Sequence, residues 1–211
     1  MIASRSVPRP TPEPGVGRPL PGRVAGLVLA AGAATRFGAP KALALLGGRP
    51  MLELVLDAAA VAGLEPVVVV LGDARDRVEA AVNWHAELRV RNPDPARGLA
   101  SSLRVGLDTV AGVRPPVDAV VILLGDQPRL RTDVIASLLD RHGTSDRPIV
   151  VPRYAGGGGA NPVVLSRAAF DLAAGLDGDH GLGPLIAARR ELVEIVDVAG
   201  TNPDVDTPAD L

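Results

Sequence analysis

Two cations and a handful of carboxylates carry most of the chemistry this chain can offer. The segment LAAGAATRFGAPK, Leu29 to Lys41, is dominated by small residues. Its backbone N–H groups can therefore approach an anion closely, with Arg36 and Lys41 beside them. It is not a Walker A loop, because five residues separate Gly32 from Gly38 and Lys41 neither follows a glycine nor precedes Ser or Thr. Nor does it spell G-x-G-x-x-G. Taken alone, the segment also suits an ordinary tight strand-to-helix connection with solvated cations.

The carboxylates lie far away in sequence. The apolar run Val120 to Leu124 ends in GDQP, Gly125 to Pro128, so Asp126 stands at a strand tip, where it can ligate a metal or simply make a turn. The C-terminal string NPDVDTPADL offers Asp204 and Asp206 ahead of Thr207 and Pro208, a pattern also suited to starting a helix. A hard divalent cation prefers such oxygen ligands and neutralises a polyphosphate. Three weaker strings complete the set. NPDPARGLASSLRVGL places Asn92, Gly98 and Ser101 at a helix start, which favours anions but is equally an ordinary cap. GGGGANPVVL holds Asn161, and GDHGLGPLI holds Asp179 and His180; a lone loop histidine is most often just solvated.

These residues need a scaffold with strand ends gathered on one side. Apolar runs at Val24 to Leu29, Pro66 to Leu71, Glu87 to Arg91, Val117 to Leu124, Pro148 to Val151, Pro162 to Leu165 and Leu192 to Val196 read as strands. Continuous runs such as Val67 to Leu71 imply burial on both faces. Helices are predicted at Met51 to Ala62, Arg75 to Trp84, Leu99 to Val110, Thr132 to Arg141, Ser166 to Ala174 and Gly183 to Arg190. The alternation predicts an α/β fold: a three-layer α/β/α sandwich with a mostly parallel, Rossmann-like sheet, ligands binding beyond the carboxyl ends of the strands.

Bulk properties exclude several classes. Residues 23–211 are long enough for one domain with its own core, whereas residues 1–22 hold six prolines and read as a disordered arm. A net charge of -2 and 2% aromatic residues argue against a nucleic-acid partner. The absence of cysteine excludes disulfides and thiolate metal sites. No apolar stretch suits a membrane span, so a cytoplasmic protein is expected.

The wording of the motifs adds a resemblance. LAAG-x-x-T-R-x-G-x-x-K, GDxP after a central strand and DxDTPxDL at the end resemble, in that order, the MobA-like nucleotidyltransferases of the nucleotide-diphospho-sugar transferase superfamily, with the molybdenum cofactor cytidylyltransferase branch most similar. The resemblance implies transfer of a nucleotidyl group, with Mg2+ as cofactor. Leu29, Ala30, Ala31 and Gly32 would face base and phosphates, Arg36 the outer phosphates and Lys41 the α-phosphate. Asn92, Gly98 and Ser101 would help form the base and ribose pocket. Asp126 and Asp206, with Asp204 third, would hold the metal, and Lys41, Arg36 and Asp126 would be catalytic. Asn161, Asp179 and His180 would lie on the acceptor side. The implied partners are CTP or GTP, a phosphorylated acceptor such as molybdopterin, and a molybdenum hydroxylase apoenzyme. Other implied activities are transfer to a sugar, polyol or phospholactate phosphate, a nicotinamide-dependent oxidoreductase, or a non-catalytic accessory protein. Departures occur at Phe37, where methionine is common, at Asn161, where histidine is frequent, and at Gly183, where an arginine would grip the acceptor phosphate.

Overall fold

The computed structural model describes residues 22–32 and 39–210. Arg36, Phe37 and nearly all of the proline-rich arm therefore lie outside the described residues. The order is β1 (Val24–Ala30), the hairpin β2 (Leu45–Leu46) and β3 (Arg49–Pro50), α1 (Met51–Val61), β4 (Val67–Leu71), α2 (Arg75–Ala81), β5 (Leu88–Arg91), α3 (Leu99–Gly112), β6 (Ala119–Leu124), α4 (Thr132–His142), β7 (Ile149–Tyr154), β8 (Val163–Ser166), α5 (Phe170–Ala174), α6 (Gly183–Ala188) and β9 (Val193–Val198).

Seven of the strands form one sheet in the order β5-β4-β1-β6-β8-β7-β9. β1 lies parallel to both β4 and β6, whereas β8 runs antiparallel to β6 and β7. The register sets Leu29 opposite Val70 on one side and Leu124 on the other. The carboxyl ends of β1, β4 and β6 therefore finish level, and the loops that leave them share one rim. This is the expected three-layer sandwich.

Alternation along the strands feeds two aliphatic cores. Val24 and Val28 of β1 face a cluster with Leu52, Val55 and Leu56 of α1 and Ile135, Leu138 and Leu139 of α4. Ala25, Leu27 and Leu29 face the other, with Leu103 and Leu107 of α3 and Phe170 of α5. The inner strands are dry on both faces, which is why they read as unbroken apolar runs.

Element ends differ from the sequence reading for local reasons. The helix predicted to reach Trp84 stops at Ala81, and the Trp84 indole donates to the Glu79 carbonyl instead. The helix predicted from Ser166 begins at Phe170, because Ser166 still pairs with Ala119 and a 3-10 turn, Arg167–Ala169, intervenes. The last helix ends at Ala188 rather than Arg190. The β2–β3 hairpin, only two residues per strand, was too short to show a period. Among the described residues no helix is long and apolar enough to cross a membrane.

Candidate active site

Three distant segments meet at Lys41. It opens a 3-10 turn, Lys41–Leu43, directly after the glycine loop. Its Nζ donates to Asp126 Oδ2 at 2.8 Å and to Asp206 Oδ1 at 2.9 Å. Burial alone would lower the Lys41 pKa; the hydrogen bonds and charges of Asp126 and Asp206 outweigh it, and the ammonium is held above its ordinary value. A lysine so placed is a fixed positive charge.

Backbone contacts fix each carboxylate. Gly125 N donates to the Leu29 carbonyl at 2.9 Å, tying the turn after β6 to the end of β1, and the Asp126 carbonyl accepts from Val205 N at 2.9 Å. Asp206 sits in a turn closed by Asp210, whose Oδ2 accepts from the N–H groups of Asp206 and Thr207 at 3.1 and 2.7 Å. Hydrogen bonds from Thr207 hold the Asp210 carboxyl below the ordinary carboxylate range.

Asp204 behaves differently from its two neighbours. Its Oδ1 accepts from Gln127 Nε2 at 2.8 Å. Partial burial first, and the charge of Asp126 second, push its carboxyl up. Among the described residues no three acidic or imidazole groups converge as a metal cluster. Of the three carboxylates that the resemblance assigns to a metal, Asp126 and Asp206 share the Lys41 ammonium, and Asp204 faces the Gln127 amide.

The pair fits a magnesium ion. Two hard carboxylate oxygens already converge on one cationic nitrogen, and Mg2+ typically takes one or two carboxylates, completing its shell with substrate phosphates and water. The Lys41 ammonium marks the point on which the two oxygens converge.

Beside Lys41 opens a cleft of about 350 Å3, lined by Ala30 to Gly32 of the glycine loop, by Gly72 and Asp73 of the loop after β4, and by Arg75 and Arg77 in the first turn of α2. Gly72 makes this approach possible: a Cβ there would lie 2.5 Å from the Ala31 carbonyl oxygen. The sequence reading missed Gly72 to Arg77, although the rule that ligands gather at strand exits applied to β4 as much as to β1.

Asn92, Gly98 and Ser101 are tied together by hydrogen bonds among themselves and their neighbours. Asn92, 1% exposed, donates from Nδ2 to Ser101 Oγ and Ser102 Oγ and accepts from Asp94 N. The Ser101 hydroxyl reaches the Gly98 carbonyl at 2.8 Å. Gly98 adopts φ 88°, a conformation glycine takes without strain, and any side chain there would collide with Asp179 and the Gly178 carbonyl. Pro95 and Ala96 of the same loop do line the cleft. On the other side of the rim, Asn161 and His180 line a smaller, mostly aliphatic pocket of about 150 Å3 with Leu103, Leu124 and Ile186.

With this geometry in view, similarity to known proteins is specific. The MobA-like NTP transferase domain matches residues 26–194, and the chain belongs to that family. It is 32% identical to Nicotine blue oxidoreductase of Paenarthrobacter nicotinovorans, over 87% of this chain and 92% of that protein. It is 38% identical to Bifunctional protein GlmU of Sorangium cellulosum, over 59% of this chain but only 28% of GlmU, so the chain matches about a quarter of that longer protein. Crystal structures of Rv0371c from Mycobacterium tuberculosis, one of them a complex with manganese, superpose with TM-scores of 0.78 and 0.74 at 35% and 33% identity, covering 89% of this chain and 95% of theirs.

Proposed function

We propose that the protein is a Mg2+-dependent nucleotidyltransferase that moves a nucleoside monophosphate, CMP from CTP, onto a phosphorylated acceptor of the molybdopterin type. The observation that carries this reading is the single ammonium of Lys41 shared between Asp126 and Asp206 at the mouth of the cleft. Support for the family comes from the matched domain, and support for a divalent metal from the manganese complex of a relative.

In this mechanism the cleft beside Ala30 to Gly32 receives base and triphosphate, and Lys41 holds the α-phosphate oxygens through the displacement. Asp126 and Asp206 would hold Mg2+, which neutralises charge on the triphosphate when bound. An acceptor phosphate oxygen forms the new bond to the α-phosphorus in line as the bond to pyrophosphate breaks. The acceptor is already anionic, so no side chain needs to remove a proton. Positioning and fixed charge do the work. The same site would serve a sugar, polyol or phospholactate phosphate, and a cytoplasmic location suits these substrates. The acceptor side is assigned to Asn161, Asp179 and His180, Arg36 to the outer phosphates, and a molybdenum hydroxylase apoenzyme to the role of product recipient.

The test is to incubate the purified protein with CTP, GTP, ATP or UTP, Mg2+ and molybdenum cofactor extract, reading pyrophosphate and the nucleotide joined to product. Pyrophosphate from CTP supports the proposal; none from any donor overturns it. A second reading, an oxidoreductase, is favoured by the relative of nearly equal length named Nicotine blue oxidoreductase. Oxidation of NADH or NADPH in the presence of a redox dye, with no pyrophosphate from any NTP, would select it.

A further inference from the structure

Gln127 and Asn202 form an amide pair that no part of the mechanism above uses. Both are 3% exposed. Asn202 Nδ2 donates to Gln127 Oε1 at 2.9 Å, and Gln127 Nε2 donates to Asp204 Oδ1 at 2.8 Å and reaches the Asn202 carbonyl at 3.4 Å. The functional groups stand close to both ends of this pairing: Asp126 immediately precedes Gln127, and Asp206 lies two residues beyond Asp204. The backbone bond from Val205 N to the Asp126 carbonyl closes the same junction. Asn202 Nδ2 also reaches the Asn161 carbonyl at 3.3 Å, which in turn accepts from the Tyr154 hydroxyl at 3.0 Å.

This arrangement solves a specific problem. Asp126 lies in the turn directly after β6, a central strand held between β1 and β8, but Asp206 lies on a C-terminal segment outside the sheet. Without a cross-link, the distance between the two carboxylates would wander with that segment. We infer that Gln127, Asn202 and Asp204 are positioning residues: their amide and carboxylate hydrogen bonds register the C-terminal segment against the strand tip, so that Asp126 and Asp206 converge on one cation. Asp204 acts as the hydrogen-bond acceptor of that clamp. The inference rests on the reading of Asp126 and Asp206 as a divalent cation site. Partners that orient metal ligands cost on the order of 10- to 100-fold in affinity when removed.

The test is Mn2+ binding, read by electron paramagnetic resonance in the presence of a non-hydrolysable CTP analogue, with thermal melting of each variant as a check on folding. Gln127→Met keeps the volume and loses every side-chain hydrogen bond, and it should weaken Mn2+ binding about tenfold. Asp204→Ala, on the C-terminal segment outside both cores, should do the same and carries the test if Gln127→Met fails to fold. Asp204→Asn keeps an oxygen for Gln127 and should rescue binding to within about threefold of the wild type, a result no directly ligating carboxylate would give. Wild-type affinity in Gln127→Met or Asp204→Ala, or a loss in Asp204→Asn equal to that in Asp204→Ala, overturns the inference. If the wild-type protein with nucleotide binds no Mn2+, the cation-site reading falls and takes the clamp with it.

Discussion

At the scale of single residues, Lys41 is the group on which charge converges. Its replacement by methionine removes the cation that Asp126 and Asp206 share among the described residues and leaves two carboxylates facing each other. Pyrophosphate release from CTP should fall by roughly 100-fold or more, the scale on which one fixed electrostatic stabiliser acts. Near-normal release would remove Lys41 from the chemistry. His142, far from this site at the end of α4, gives a prediction of another kind. Its Nδ1 is buried without a partner among the described residues, and burial lowers its pKa, the charge of Asp118 only partly opposing. With the folded value below the unfolded one, the neutral ring is present in both states above about pH 6.5. As pH falls through that point the unfolded chain takes up the proton first, and stability is lost until the folded value is passed. Melting temperature should therefore drop between pH 7.5 and 5.5 by more in the wild type than in His142→Leu; equal drops would show that the ring does not control the slope. Lys41, Asp126 and Asp206 were legible in the sequence because each sits in a string with several chemically marked neighbours. Gln127 and Asn202 stood in the same strings and passed unremarked, since a neutral amide carries no chemical signature until its partner is known.

At the scale of elements, the site depends on how closely the strand exits approach. Gly72, at the end of β4, lets its loop lie against the Ala31 carbonyl, and Gly72→Ala would force those two loops apart. The KM for the nucleotide should rise at least about tenfold with little change in melting temperature, since the displaced groups line the cleft rather than the core. An unchanged KM would mean that the nucleotide does not use this wall. The opposite balance is expected for Leu138→Ala on α4, whose side chain is fully buried against the sheet. It should cost about 2–5 kcal/mol of stability, measured by denaturant unfolding, with the KM for nucleotide unchanged. Strand and helix identities were legible because buried parallel strands leave long aliphatic runs and amphipathic helices a clear stripe. The Gly-rich turn at Gly156 to Gly159 suggested that the chain returns in β8, but a four-residue apolar run reads the same either way, and its hydrogen bonds to β6 and β7 fix the antiparallel direction. The hairpin of β2 and β3, at two residues a strand, lies below the length at which alternation exists at all.

At the scale of the whole molecule, a seven-stranded sheet with dry cores on both faces provides the rim, and the site beside the cleft joins segments as distant in sequence as Lys41 and Asp206. A ligand that joins such segments in the folded state alone must stabilise the entire chain. At a nucleotide concentration 100 times its dissociation constant the gain is about 2.7 kcal/mol. For a domain of this size each kcal/mol raises the melting temperature by about 2–4 °C, so CTP with Mg2+ should raise it by roughly 5–11 °C. The metal has a defined part in that shift. The two carboxylates repel a triphosphate unless a cation lies between, so CTP in the presence of a chelator should give less than half of it. Screening the four nucleotides in this way, with and without Mg2+, ranks the donors without any knowledge of the acceptor. A shift with CTP that is the same with chelator as with Mg2+ would mean that triphosphate binding does not run through Asp126 and Asp206, and that the convergence of Lys41 on those two carboxylates is a structural ion pair.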